Sequence, residues 1–287
     1  MSSSIAYTKT DCLLNVKNVN LFLEGNHILR DINLQILDIN RPGMVQGQIF
    51  GLISKSGAGK TQTLKCISGL YNPRENNKPN SFAYMTGEVL LGKEAKPVAL
   101  GDIGFVQQNY PLWNHLNVQD NLILAGHKLP KGERKDKAEA YMNHFGLWEH
   151  KNMYPKQLSG GQKQRCSIAQ SFLNAQHIVC LDEPYSGLDV SMIQRVSEMI
   201  LSTANLDEKN SVLIISHDIR NTLAICDTIA LLGSDKDISG NIIPGSTINP
   251  GNIYDLIELD FAWHSDLNKN LHFQDFCNLI TYRVKSL

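Results

Sequence analysis

Residues 54–62 read Ser-Lys-Ser-Gly-Ala-Gly-Lys-Thr-Gln and follow the apolar run Gln48–Ile53. Glycines at 57 and 59, then a lysine and a hydroxyl residue, are what a polyphosphate needs. Gly57 and Gly59 let successive backbone N–H groups close around an anion, and a helix starting there adds its positive end. Lys60 then reaches the outer phosphates, and the Thr61 hydroxyl is placed to ligate Mg2+. Lys55, Ser56, Ala58 and Gln62 belong to the same wrap. The pattern Gly-x-x-x-x-Gly-Lys-[Ser/Thr] asks for glycine in its first position, where this chain has Ser54. A glycine-like backbone forced on Ser54 costs about 1–3 kcal/mol. Its place at the strand end, away from the phosphates, makes that tolerable.

A second cluster fits the same chemistry. The stretch HIVCLDEP, 177–184, is an apolar strand ending in two carboxylates. An acid at such a strand end, beside a phosphate loop, holds Mg2+ and is the role read for Asp182. Its neighbour Glu183 is suited to polarise an attacking water, an effect of about 10²–10⁴ in rate. Taken alone, Glu183 reads better as a solvated loop acid or a helix-start charge; the phosphate loop on the same chain favours catalysis. A third stretch, YPKQLSGGQKQRCSIAQSFL at 154–173, reads as a helix N-terminus. Ser159 caps it, Gln162 stands three residues on as in a capping box, and Ile168, Ala169, Phe172 and Leu173 form a buried face. Gly160 and Gly161 leave backbone N–H groups bare for an anion, although an ordinary capped helix has the same pattern.

These groups must be held by elements the sequence also signals. Val19, Leu21 and Leu23 alternate, as do Ile32, Leu34 and Ile36, so residues 12–36 read as strands with a turn at Glu24–Asn26. Residues 38–47 and 72–81 read as loops. The run 48–54 is a strand buried on both faces. A helix follows, with Leu64, Ile67 and Leu70 on one side. Further strands are expected at 88–91, 103–107, 177–181, 211–216 and 228–233, with helical sequence over about 118–173. Strands separated by helices predict an α/β fold with a mainly parallel sheet. The tail ends in an amphipathic helix presenting Phe273, Phe276, Cys277 and Ile280.

The 287 residues are 42% hydrophobic and 19% charged, a composition that fits a globular core. Lys plus Arg number 27 against 28 Asp plus Glu, so net charge gives no case for a nucleic-acid partner. The six cysteines form no C-x-x-C pair and sit among apolar neighbours, as expected in a reducing compartment. The start has no signal-peptide pattern, and no stretch approaches the ~20 apolar residues of a bilayer span.

The motif order is similar to that of the ATP-binding cassette (ABC) ATPases: the phosphate loop, VQQ at 106–108, LSGGQ at 158–162, CLDEP, SGLD at 186–189 and SHD at 216–218. The resemblance covers about residues 12–233. It implies a P-loop NTPase core with an antiparallel N-terminal β segment and an inserted helical subdomain, about 112–170, within one cassette over 12–235. Residues 236–287 are then a C-terminal extension. ATP and Mg2+ are implied as ligands. Gln108 is implied to contact Mg2+ and the attacking water, Glu183 to be the catalytic base, and His217 to contact the γ-phosphate. Asp189 is implied to act across a dimer interface. Ser159, Gly160, Gly161 and Gln162 are implied to close over nucleotide on a second cassette. Relatives stack an aromatic on adenine near the first strands, and Phe22 is the candidate. Besides Ser54, Gln107 departs from relatives that carry an aromatic there.

The implied role is a peripheral subunit on the cytoplasmic face of the cell membrane. It would drive a separate transmembrane permease for a small polar solute. Tyr110, Leu112 and Trp113 are candidates for the wall of the permease groove, or for core packing. The segment 255–267 is loosely similar to nitrate, sulfonate and taurine importer cassettes. Two other readings stay open: an ABC-class ATPase acting on ribosomes or DNA, and an ATP-binding scaffold with little turnover. The first usually needs two cassettes or a long coiled-coil insertion, and neither is in this sequence.

Overall fold

The computed structural model describes all residues except 1–6, 42–46, 72–81, 176, 260, 262–266 and 268–269. The expected loop at 72–81, half of that at 38–47 (residues 42–46) and residues 260 and 262–266 of 255–267 lie outside the described residues.

Two strands, β1 (Thr8–Leu23) and β2 (Asn26–Asn40), form an antiparallel hairpin in which Leu23 pairs with Asn26. Glu24 and Gly25, with φ of 49° and 80°, make the turn. Two consecutive left-handed residues give the turn whose twist matches a tight hairpin. The strand runs through 38–40, which the sequence suggested was loop. β4 (Ala83–Leu91) and the short β5 (Lys96–Pro97) complete a four-stranded sheet in the order β2-β1-β4-β5.

The second sheet is built on β3 (Gln48–Ile53), buried at every residue. It pairs in parallel with β8 (Ser211–Ser216) and β9 (Thr228–Gly233). Outward from β8 lie β7 (Ile178–Asp182) and β6 (Gly104–Val106), also parallel. β10 (Thr247–Asp255) adds antiparallel to the far edge of β9. Because side chains alternate along a strand, β3 feeds two cores. Phe50 and Leu52 pack toward the first sheet, while Ile49 and Ile53 pack toward the helices.

The helix α1 (Lys60–Ile67) follows β3, burying Leu64 and Ile67. Leu70 lies beyond its end and is 44% exposed, contrary to the sequence expectation, because Ser68 and Gly69 have already ended the helix. Between β6 and β7 come α2 (Val118–Ala125), α3 (Arg134–His144) and α4 (Gly160–Asn174), packed on one another. α5 (Val190–Ala204) links β7 to β8, and α6 (Ile219–Ile225) links β8 to β9. The tail is built into the same body: β10 extends the main sheet, and α7 (Leu271–Ser286) packs on α6 through Phe273, Cys277 and Ile280. A buried ion pair, Arg41 with Asp227, ties the end of β2 to the main sheet; Asp227 also accepts the Ile49 N–H at 2.7 Å. No helix among the described residues is long and apolar enough to cross a membrane.

Candidate functional site

Register brings the chemistry to one edge of the sheet. Ile53 pairs with Ser216, and Asp182 pairs with Ile215, so β3, β7 and β8 end side by side. The loops leaving their carboxyl ends carry residues 54–59, Glu183 and His217. Ligands of open parallel sheets bind at this edge. An open cleft of ≈ 490 Å³ lies there, lined by Leu23, Ile28, Ser56, Gly57, Gly59, Lys60, Thr61, Gln62, Gln108, Glu183, Ser186 and His217.

The loop has the shape of an anion cradle. Gly57 and Gly59 both take φ of 82°, where an L side chain is strained. A Cβ on Gly59 would also lie 2.7 Å from Leu29 Cδ2. Gly59 is the left-handed N-cap of α1, so the helix's bare N–H groups open toward the cleft. The Lys60 ammonium donates to the Ser54 carbonyl at 3.2 Å and to the Lys55 carbonyl at 2.8 Å, and it sits 3.7 Å from Glu183 Oε1. Burial lowers its pKa, while Glu183 and Asp182 oppose that shift. Ser54 is 1% exposed and takes no positive φ, so it contributes a carbonyl to the lysine without the feared strain. Lys55 and Ala58 shape the loop without lining the cleft.

At the end of β7, Asp182 accepts the Thr61 hydroxyl at 3.2 Å. Burial raises its pKa, and the Thr61 hydrogen bond partly offsets this. A hydroxyl and a carboxylate side by side, with Gln108 on the same cleft, are hard oxygen donors that fit Mg2+. Glu183 stands at φ 51°, a left-handed conformation that is uncommon off glycine and concentrates at functional sites. Its Oε2 meets His217 Nδ1 at 2.7 Å and accepts the His217 N–H at 3.2 Å. The Gln108 side-chain amide donates to Ser186 Oγ at 2.9 Å.

Other sequence candidates fall elsewhere. Phe22 does not line the cleft. It stacks on His27 with ring centroids 4.2 Å apart and lies 5.9 Å from the Tyr84 ring. Leu23 and Ile28 form the apolar end instead. Ser159 and Gln162 form the expected capping box on α4, outside this cleft, with Ser159 and Gly160 exposed. Asp189 is an exposed N-cap of α5, accepting the Met192 N–H at 2.9 Å. Hydrogen bonds from the Ser191 side chain and the Met192 backbone lower its pKa. Gly161 lies beside Met192, so the two turns adjoin.

Several supporting residues were not singled out from the sequence. Asn121, fully buried, accepts the Trp113 N–H at 2.9 Å and donates to the Trp113, Leu116 and Asn117 carbonyls. It thereby fixes the segment after Gln108. Gln164 donates to the Pro184 carbonyl at 2.8 Å, joining α4 to the turn after Glu183. Only the long-range contact marks these amides; an asparagine or glutamine inside a helical pattern carries no local signal. Tyr110 and Leu112 pack against the core, whereas Trp113 is 43% exposed.

The ABC transporter family profile matches residues 41–186. The spermidine/putrescine import ATP-binding protein PotA of Fusobacterium nucleatum is 33% identical over 228 residues, 78% of this chain and 55% of that protein. The chain thus spans about half the length of that relative. The sulfate/thiosulfate import ATP-binding protein CysA of Pseudomonas putida is 30% identical over 88% of this chain and 71% of its own length. Among solved structures, cbiO1 from Clostridium perfringens, described as part of the ABC transporter complex cbiONQ, matches with a TM-score of 0.66 at 21% identity. The match covers 95% of this chain and 100% of that one, a likeness of fold. Motif order, cradle and relatives agree, and the chain belongs to the ABC transporter family.

Proposed function

We propose that the chain hydrolyses ATP to ADP and phosphate and uses that reaction to drive a separate transmembrane permease for a small polar or charged solute. The observation that carries this is the convergence of cradle, Lys60, Thr61–Asp182 and Glu183–His217 on one cleft. In this reading the loop N–H groups and Lys60 hold the triphosphate, and Leu23 and Ile28 pack on the base. Thr61, Asp182 and Gln108 hold Mg2+, which neutralises charge on the outer phosphates. Glu183, oriented by His217, takes the proton from the attacking water. Lys60 must release the Ser54 and Lys55 carbonyls to reach the phosphates. The loop N–H groups stabilise the charge that develops there because they are already in place, and Lys60 joins them once released.

Ser159, Gly160, Gly161 and Gln162 lie outside the cleft of their own chain, which supports a second cassette as the source of the lid. Asp189, beside that turn, belongs to the same pairing surface. Residues 12–235 act as one cassette with a helical insertion. The partner permease places the chain at the cytoplasmic face of the membrane, and exposed Trp113 belongs to the surface that meets it. The import names of the relatives support uptake as the direction. The near-zero net charge gives no support to a nucleic-acid role.

The test is phosphate release with Mg2+ and ATP, with Glu183→Gln as control. Turnover should fall by about 10²–10⁴ in the variant, which should retain ATP and run as a pair on gel filtration. Full turnover in Glu183→Gln, or no nucleotide retained by it, overturns the reading.

A further inference from the structure

The Gln162 side chain is held from two sides. Its Oε1 accepts the Ser159 N–H at 2.8 Å, while Ser159 Oγ accepts the Gln162 N–H at 3.3 Å. With Oε1 committed, the other end of the carboxamide is an NH2 group and can only donate. His150 Nε2 faces that group at 2.9 Å. Two donors cannot share such a contact. In this contact His150 Nε2 therefore acts as the acceptor, which the tautomer with its proton on Nδ1 allows.

His150 is itself firmly mounted. It ends a 3-10 turn, Trp148–His150, whose N–H bonds the Leu147 carbonyl at 2.9 Å. The following residues are pinned to the start of α2: the Gln119 N–H donates to the Lys151 carbonyl and the Val118 N–H to the Met153 carbonyl, both at 3.0 Å. The Lys151 ammonium lies 3.7 Å over the centroid of the Trp148 ring. The turn thus presents a fixed acceptor to a side chain that would otherwise sample several rotamers. A half-satisfied carboxamide leaves the turn at Ser159 loose; a fully bonded one presets it.

We propose that His150 is a positioning residue for the turn Ser159–Gln162: its Nε2 fixes the Gln162 carboxamide, which holds Ser159, Gly160 and Gly161 ready for the phosphates of nucleotide on a second copy. The proposal rests on reading those residues as the lid of a paired site. His150 touches no substrate. Its effect belongs to the closed pair and to the chemical step, and leaves binding of ATP to the chain's own cradle untouched.

The experiment compares wild type, His150→Leu and His150→Gln in the full chain. It reads kcat and KM for phosphate release, Kd for a fluorescent ATP analogue, and the melting temperature. Leucine removes the acceptor; glutamine offers Oε1 near the position of Nε2. His150→Leu should lower kcat about five- to tenfold with Kd for the analogue unchanged, and His150→Gln should recover most of that loss. A double-mutant cycle guards against simple damage to the fold: in a Gln162→Ala background, His150→Leu should cost nothing further. The inference is overturned by full kcat in His150→Leu, by an equal loss in His150→Gln, or by an undiminished cost in the Gln162→Ala background. Failure of the ATPase reading would look different: wild type itself would release no phosphate, and Glu183→Gln would not pair.

Discussion

The carboxylate of Glu183 grips His217 twice, at Nδ1 (2.7 Å) and at the backbone N–H (3.2 Å). Glu183 leaves β7 at φ 51°, and its own N–H is tied to the Ile215 carbonyl at 2.8 Å. Backbone and side chain therefore fix one carboxylate between two strand ends. The other oxygen, Oε1, faces Lys60 at 3.7 Å. With both hydrogen bonds from residue 217 on Oε2, Oε1 is left to address the ligand side. Removing the ring in His217→Ala frees the carboxylate to swing toward Lys60, and kcat for phosphate release should fall about 10–100-fold. ATP affinity, set by the loop, should change less than about threefold. A fall in affinity matching the fall in kcat would mean that His217 binds the ground state instead.

The base end separates two neighbouring residues. Phe22 belongs to a ladder in which it pairs with His27 on β2 and Tyr84 on β4. Leu23 ends β1 at the hairpin turn and lines the cleft. Leu23→Ala should weaken ATP binding by about 5–30-fold, the loss of ~1–2 kcal/mol of apolar contact. Phe22→Ala should leave affinity within about twofold while lowering the melting temperature. Titration with a fluorescent nucleotide decides between them, and the opposite ranking would restore Phe22 as the base platform.

That pair also shows where reading from sequence stops. Most strands and the phosphate loop follow from local signals: alternation in 12–36, an unbroken apolar run at 48–53, glycines before Lys60; β5 and β10 carry no such signal, and the sheet order is set by long-range pairing. The same alternation puts Leu23 on the face of Val19 and Leu21. The pairing of β1 with β2 is irregular between Val19 and Phe22, and Leu23, half-buried at the rim of the core, also reaches the cleft. Alternation describes one strand, whereas the Phe22–His27–Tyr84 ladder joins three. Asn121, Gln164 and His150 were missed for a related reason. Each acts through a partner 8 to 20 residues away in sequence, Trp113, Pro184 and Gln162 respectively. Nothing in their own neighbourhood distinguishes them from solvated polar residues. Ser54 looked like a defect because a pattern position was read as a backbone requirement; the positive φ falls on Gly57 and Gly59.

Substitutions in the loop should follow the same division. Gly59→Ala combines a φ of 82° with a Cβ 2.7 Å from Leu29 Cδ2, inside the buried face of β2. Gly57→Ala has the same φ and open space around it. Gly57→Ala should cost about 1–2 kcal/mol of backbone strain. Gly59→Ala should cost more and abolish measurable ATP binding, because Leu29 cannot retreat from a packed core. Ser54→Gly should not improve affinity, since no left-handed residue is needed there, and should lower stability by about 0.5–1 kcal/mol through chain entropy. Calorimetric titration and thermal melts on the three variants test this, and a tighter-binding Ser54→Gly would contradict it.

Asp182 is buried at a cost to the empty protein. It is 6% exposed, and burial raises its carboxyl pKa above the ordinary value despite the Thr61 hydrogen bond. In the unfolded chain the pKa is ordinary, so between the two values the folded state binds the extra proton. By linkage, this group's contribution to stability falls as pH rises through that window. Above the raised pKa the carboxylate is ionised in both states, and the folded one bears the full desolvation cost. Below the unfolded value the cost is gone. Asp182→Asn removes the charge while keeping an oxygen to accept the Thr61 hydroxyl. At neutral pH, without nucleotide or metal, the variant should melt higher by roughly 2–4 °C, the shift that about 1 kcal/mol produces in a chain of this size. The gap should close as the pH is lowered through the carboxylate range. Adding Mg2+ and ATP should reverse the order if Asp182 holds Mg2+ as proposed, because the carboxylate then gains a cation and the amide does not. A variant that melts lower than wild type at neutral pH in the empty state would show that Asp182 stabilises the fold in its own right, through contacts other than the one to Thr61.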